Sequence, residues 1–428
     1  MKASDFYYKL TEEYDTILNK SGVSGERLAQ RLSMISEIGR TPEGGSNRIG
    51  FSKEEEQAKQ LAIKWMTEAG LKIRRDAAGN VFGRLEGKNK ALPTLLSGSH
   101  LDTVPNGGHF DGVLGVLTAL EVVEAWKETG YIPNYPFEVV VFSDEEGSRF
   151  NDGFTGSRAF IGLVDMEEQR RLVDDEGKGF DEVLRQVGLD SNQFLSAKRD
   201  IKEIEAFIEV HIEQGLYLEK SNIPIGIVNG IAGASWLEIT FTGNAGHAGT
   251  TPMLLRNDPL VAAGEFINRV SYLPQEVSPT AVATIGKVDV KPNGINVIPG
   301  EVTLFVDIRD INKDSRDKLI SLICDTAVHI SKKYRTDLQY KVLLEEDPVP
   351  INDEIKSKFK KSAKENGLEP GFLPSGAGHD AMILGQIIPI GMLFIRSKDG
   401  ISHNPKEWSS LNDCVLGVHT LKHFIENY

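Results

Sequence analysis

The stretch GSHLDTVPNGGHFDG, residues 98–112, sets two histidines and two aspartates among glycines directly behind the apolar run LPTLL. Imidazoles and carboxylates are the side chains that move protons and bind divalent metal near neutral pH. Three further segments carry the same chemistry: SDEEG at 143–147, HIEQG at 211–215 and SHNP at 402–405. Taken one at a time, each reads as a hydrogen-bonded loop or a solvated acidic turn. Together they share a context, since each follows a short apolar run: TLL, FEVVVF, AFIEV and MLFIRSKDGI.

His100, His211 and His403 offer imidazoles, and Asp111 and Glu146 offer carboxylates. This mixed nitrogen and oxygen set suits zinc, manganese, cobalt or nickel. Five ligands exceed the needs of one four-coordinate ion, whereas a pair of ions about 3.5 to 4 Å apart, sharing one carboxylate, would use them all. Asp111, between glycine-rich turns ahead of the helical stretch GVLTALEVVEAW, is the natural bridge; by itself it would be an ordinary helix cap. Asp102 stands two residues after His100 and shares its face if the strand continues, so that it can hold the imidazole in its metal-binding tautomer. Alone it reads as a turn residue. Glu145 and Glu146 are adjacent and point in different directions, so one can bind metal while the other works as a general base toward substrate.

Positioning such groups requires a scaffold, and the chain has two regimes. From about residue 50 to 217, helical stretches such as EEEQAKQLAIKWMTEAG and GVLTALEVVEAWKETG alternate with TLLSG, FEVVVFS and AFIEVH. That is an α/β pattern with buried strands. In open α/β sheets ligands bind beyond the carboxyl ends of the strands, so the four motifs are expected to converge there. From about 235 to 345, WLEITFTG, DPLVAAGEFINRV, TAVATIGKV, VTLFVDIRD, SRDKLISLICDTAVHISKKY and LQYKVLLEE follow one another. They spell β-α-β-β-α-β, an antiparallel sheet with two helices on one face. The α/β style then returns. A catalytic domain of residues 1–217 and 335–428 interrupted by an inserted domain, 218–334, is expected.

Composition narrows the function. With 428 residues, 40% of them hydrophobic, the chain can bury a core in each of two domains. A net charge of −14 argues against a nucleic-acid partner and requires specific local cations for any anionic substrate. The only cysteines, Cys324 and Cys414, make no CxxC pattern, which leaves out a disulfide framework and a thiolate zinc cluster. The opening MKASDFYYKLTEEYD lacks the apolar core of a secretory signal, and IIPIGMLFI, the longest apolar candidate, is broken by Pro389 and Gly391. A cytoplasmic protein with no membrane partner is expected.

The combination GSHLDTV, NGGHFDG, DEEGSRF, HIEQG, HAGTTPM, GINVIPG, DIRD, SGAGHDA and SHNP, spread from about residue 25 to the end, resembles the hydantoinase/carbamoylase branch of the dinuclear metallo-amidohydrolases related to zinc aminopeptidases. The resemblance implies a zinc-aminopeptidase-like α/β domain with a central mixed sheet flanked by helices, and an inserted α+β ferredoxin-like lid and dimerisation domain. It implies two divalent ions per subunit on His100, Asp111, Glu146, His211 and His403, with Asp111 bridging. Glu145 would be the catalytic base, Asp102 would support His100, and His247 would stabilise the tetrahedral oxyanion. Arg309, Asn296 and a backbone amide near Gly378 would hold a substrate carboxylate, and Gln214 would contact a ureido group. Outside the family pattern, Arg309 reads as a structural ion pair with Asp307 or Asp310, Asn296 as a turn residue, and His247 and His109 as loop histidines.

The implied partner is a small ureido molecule carrying a carboxylate, and the implied assembly is a homodimer through the inserted domain. The implied reaction converts N-carbamoyl-L-amino acids to L-amino acid, ammonia and carbon dioxide. Allantoate amidohydrolases share every motif quoted, while the apolar IAGASW leans toward hydrophobic amino-acid side chains. A dipeptidase or aminopeptidase is disfavoured because His211 stands where peptidases of the wider clan place a carboxylate. A catalytically silent metal-binding protein would have lost a ligand or the base, and here all are present.

Overall fold

Four of the apolar runs become strands, Thr94–His100, Phe137–Phe142, Ile204–Ile212 and Ile390–Ile395, each buried along nearly its whole length. A strand covered on both faces cannot alternate, so unbroken apolar sequence is what such a position demands. In space the sheet runs Lys72–Arg75, Val81–Leu85, Phe137–Phe142, Thr94–His100, Ile204–Ile212, Ile390–Ile395 and Ile225–Ile231. The four buried strands are mutually parallel neighbours, and those outside them pair antiparallel, giving a mixed sheet. His100 pairs with Phe142, and Phe394 with His211, so the carboxyl ends of the four strands align along one edge. Helix Val113–Thr129, buried from Val113 to Trp126, packs directly on this sheet. Gly115 lets it approach, because a Cβ there would meet the Val210 carbonyl oxygen at 2.3 Å.

This computed structural model describes residues 3–428. They divide into two units: the chain up to Asn229 with Ile351–Leu373 and His379–Tyr428, and Gly230–Pro350 with Pro374–Gly378. Both boundaries lie later than the sequence suggests. Strand Ile225–Ile231 pairs through Ile227 with Leu393, which keeps the chain to Asn229 with the first unit, and strand Asp337–Glu345 pairs with Gly233–Thr242, which carries the second unit past residue 334. Residues 374–378, including Gly378, also fall in the second unit.

The second unit has a four-stranded antiparallel sheet ordered Asp337–Glu345, Gly233–Thr242, Glu301–Asp310, Val282–Lys291. In order of appearance the strands lie 4-1-3-2, which is the split βαβ arrangement read from the sequence. Helices Pro259–Val270 and Lys313–Tyr334 pack on one face through a core of Leu237, Ile239, Phe266, Val302, Leu304 and Ile323.

In the first unit, helix Ala3–Thr11 sets the Phe6 ring edge-on against His109, Phe110 and Trp408, while the Lys9 ammonium lies 4.0 Å from the Trp408 ring centroid. Elsewhere in this unit Glu138 is a buried acid held between two arginines: Oε1 accepts from Arg84 Nη1 and Arg199 Nη2, both at 2.9 Å, and Oε2 accepts from Arg199 Nη1 at 2.5 Å. Burial raises its pKa, but the guanidinium groups of Arg199 and Arg84 outweigh that and hold it below the usual range. A depressed carboxyl stabilises the fold above its unfolded pKa, and the contribution is lost as pH falls through the folded value. Glu138→Gln is therefore expected to cost about 1.5–3 kcal/mol at pH 7, the scale of hydrogen bonds to charged groups. Urea unfolding measured from pH 7 downward should show the gap to the unaltered chain closing in acid. Among the described residues no helix is long and apolar enough to cross a membrane.

Candidate metal centre

His100 is the last residue of its strand, Glu145 and Glu146 follow Phe137–Phe142, His211 lies at the end of Ile204–Ile212, and His403 follows Ile390–Ile395 beyond a short turn. Four neighbouring strand ends thus deliver the groups that the sequence scatters over 300 positions. Asp111 arrives from the loop before helix Val113–Thr129 and lies at their centre. Its Oδ1 is 3.0 Å from His211 Nε2 and 3.5 Å from His100 Nε2, while Oδ2 is 3.4 Å from His403 Nε2. His403 Nε2 is also 3.4 Å from Glu146 Oε2, and His100 Nε2 is 3.6 Å from Glu145 Oε2. Three overlapping groups have ligand atoms close enough to hold an ion: His100, Asp111 and His211; His100, Glu145 and Glu146; Asp111, Glu146 and His403.

Asp111 is not the helix cap it would have been by itself. Gly112 occupies the cap position with φ 64°, and no side chain caps the helix. That glycine is required, because a Cβ would meet the His100 ring at 2.4 Å and the backbone is left-handed. The acidic turn is likewise not solvated: Asp144 and Glu145 are buried.

Two of the histidines turn their other nitrogen to a backbone carbonyl oxygen. His211 Nδ1 lies 2.9 Å from the Ile212 carbonyl oxygen, and His100 Nδ1 lies 3.1 Å from the Asp102 carbonyl oxygen. With the proton on Nδ1 in each, Nε2 presents a lone pair toward Asp111. The sequence assigned support of His100 to the Asp102 carboxylate. In the structure that carboxylate is 3.4 Å from Nδ1 and accepts the backbone N–H groups of Glu145 at 3.2 Å and Glu146 at 3.0 Å, so it also anchors the acidic turn.

Whether the cluster fits divalent metal can be judged from its own polar atoms. His100 Nε2 is buried and has no hydrogen-bond partner, yet it faces two carboxylate oxygens. Burial pushes Glu145 well above the carboxylate range, and burial followed by the Asp111 charge lifts Glu146 to about 8. Asp111 is driven the other way: burial raises it, and the imidazoles of His211, His100 and His403 more than reverse this. Crowded buried carboxylates with unpartnered imidazole nitrogen find their charge balance in dications, and the donor set is one that zinc-type ions accept. The residues fit.

Other sites named from sequence divide between the units. Gln214, with φ 56°, donates from Nε2 to Asp111 Oδ2 at 2.8 Å. His109 stays outside the cluster as a structural residue, between the Ser46 hydroxyl at 2.9 Å and the Gly44 carbonyl at 3.0 Å, with burial lowering it to about 4. His247, Asn296, Arg309 and Gly378 belong to the second unit. His247 is exposed on a two-residue strand paired with Val297–Ile298, and the Ala248 N–H donates to the Asn296 carbonyl at 3.0 Å, so those two loops meet. The Arg309 guanidinium is held by Asp307 at 2.8 and 3.0 Å and by the Gly376 carbonyl at 2.7 Å. In the apolar stretch IAGASW, Ile231, Ala232 and Ala234 are buried while Trp236 is exposed, its Nε1 donating to Asp307 Oδ2 at 2.8 Å.

Sequence reasoning missed the acids beneath the cluster. Glu209 accepts the Ser99 hydroxyl at 2.6 Å and the Ala381 N–H at 2.9 Å, tying together the strands that carry His100 and His211. Glu407, four residues past His403, accepts the Phe110 and Asp111 N–H groups at 2.8 and 3.1 Å. Neither has a periodic or spacing signal.

A histidine and carboxylate cluster at the carboxyl edge of a parallel sheet, buried at His100, Asp111, Glu145 and His211 and open to solvent at His403, suits metal-assisted hydrolysis. Comparison with known proteins agrees. The sequence model of peptidase family M20/M25/M40 matches residues 96–427, and the chain belongs to that family of hydrolases. An N-carbamoyl-L-amino acid amidohydrolase of Geobacillus stearothermophilus is 44% identical over 403 residues, covering 94% of this chain and 98% of that protein. Allantoate amidohydrolase of Escherichia coli K12 is 36% identical over 405 residues, covering 92% and 96% respectively. A crystal structure of an amidase of the hydantoinase/carbamoylase family from Burkholderia multivorans matches with a TM-score of 0.89 at 33% identity, over 95% of this chain and 98% of that one.

Proposed function

We propose that this chain is a cytoplasmic N-carbamoyl-L-amino acid amidohydrolase using two divalent ions, zinc or else manganese, cobalt or nickel. The observation that carries the proposal is the Asp111 carboxylate, which turns one oxygen to His100 and His211 and the other to His403. In this reading His100 and His211 would hold one ion and His403 and Glu146 the other, with Asp111 available to both. When bound, the ions supply the positive charge that acidifies the attacking water and polarises the ureido carbonyl.

The remaining steps belong to side chains. Glu145 takes the proton from the attacking water and passes it to the nitrogen that leaves as the C–N bond breaks. Asp102 keeps His100 and the acidic turn in place. Gln214 orients the ureido group. Arg309, Asn296 and the backbone at Gly378 hold the substrate carboxylate, and His247 stabilises the developing oxyanion. Breaking that bond releases the L-amino acid and carbamate, and the carbamate then decomposes to ammonia and carbon dioxide. Assignment to carbamoyl amino acids is supported by the 44% identical relative, and the His211 position argues against a peptidase. Dimerisation through the second unit is supported by its exposed apolar residues Met253, Leu254 and Leu255, which a second copy would cover.

Ammonia release from N-carbamoyl-L-methionine and from allantoate, measured side by side, tests the assignment. The carbamoyl substrate is expected to be favoured by at least roughly tenfold in kcat/KM, a modest discrimination for a ureido site. Chelation should abolish the activity, and added zinc, manganese or cobalt should restore it. Preference for allantoate would replace the substrate, and activity indifferent to chelation would end the metal reading.

A further inference from the structure

Glu407 lies outside the ligand set but touches the segments that hold it from two sides. It is 2% exposed, on the loop that carries His403, and its Oε1 accepts the N–H groups of Phe110 at 2.8 Å and Asp111 at 3.1 Å. The Ser402 hydroxyl lies between the two acids, 2.8 Å from Glu407 Oε2 and 2.8 Å from Asp111 Oδ2, and its single hydrogen is donated to one of them at a time. Room for this approach comes from Gly108, where a Cβ would sit 2.0 Å from Glu407 Oε1. A buried acid in a loop needs such partners to offset its desolvation, and here they are the backbone of one ligand and the side-chain neighbour of another.

The geometry points to Glu407 as a positioning residue that locks the Asp111 carboxylate, through its own backbone and through Ser402, so that one oxygen faces each histidine group. This rests on the reading that Asp111 and His403 hold metal. Without the acid, the backbone N–H groups of Phe110 and Asp111 lose their carboxylate partner and Ser402 loses one of its two neighbours, so Asp111 is free to rotate away from one group. Outer partners of metal ligands act in this way on affinity.

Zinc titrated into the chelator-stripped full chain by calorimetry tests it, with circular dichroism establishing that each variant is folded at the working temperature. Glu407→Ala is expected to weaken zinc binding by about 10–100-fold. Glu407→Gln should stay close to the unaltered chain, since its carboxamide oxygen still accepts both N–H groups and its nitrogen can donate to Ser402. Ser402→Ala, which removes only the span, should weaken binding by roughly tenfold. A purely structural acid would lower the melting temperature of Glu407→Ala and leave zinc affinity alone. Binding as tight as in the unaltered chain, by Glu407→Ala or by Ser402→Ala if the former does not fold, overturns the inference. Absence of zinc binding by the unaltered chain overturns instead the metal reading beneath it.

Discussion

Glu145→Gln is expected to lower kcat for ammonia release by about a thousandfold or more, within the range that a positioned general base contributes, while bound metal stays at the level of the unaltered chain. The two side chains have nearly the same shape, and only the carboxylate can accept a proton. The metal measurement matters because Glu145 Oε2 is 3.6 Å from His100 Nε2, and Glu145 groups with His100 and Glu146 as a possible ligand. If its role were coordination, metal content would fall along with rate. A variant that kept both metal and near-normal turnover would remove Glu145 from the chemistry altogether, and the proton transfer would have to be assigned to another group.

Asp111→Asn should be the more damaging change to the centre itself. The carboxylate presents an oxygen to each histidine group, and asparagine keeps one oxygen and replaces the other with an amide nitrogen that donates rather than ligates. Loss of metal from at least one group is expected, with turnover falling by about three orders of magnitude or more because two-ion hydrolysis needs both. Metal analysis after dialysis, alongside the ammonia assay, checks this. Full metal occupancy in an inactive Asp111→Asn protein would show that the carboxylate acts on substrate and does not bridge.

Much of this arrangement is visible before any coordinates. Runs such as FEVVVF and TLLSG are apolar without alternation because both strand faces are covered, and that property alone marks them as central. Their carboxyl ends then identify His100, Glu146, His211 and His403 as neighbours, since parallel strands aligned at one edge bring their following residues together. The β-α-β-β-α-β succession is equally legible, because antiparallel strands with one covered face alternate, as Glu301–Asp310 does residue by residue.

What stays hidden has a common cause: burial of a polar residue leaves no mark on its type. Glu407 in SHNPKE reads as a solvated loop acid, and Glu209 interrupts the run AFIEV without saying which hydroxyl it meets. The choice between the Asp102 carboxylate and its carbonyl as partner of His100 depends on tenths of an ångström that spacing cannot supply. Domain edges shifted for a related reason. The helical segment at Tyr217–Ser221 and strand Ile225–Ile231 look alike as continuation or as departure, and only the pairing of Ile227 with Leu393 decides.

The leading helix gives the centre an unexpected vulnerability. Phe6 wedges between aromatic neighbours of Asp111 and of Glu407, and Lys9 covers Trp408, so this short element clasps both loops from outside. Proteolytic nicking within Ala3–Thr11 during storage would therefore mimic cofactor depletion, and a preparation aged in that way would regain little on remetallation.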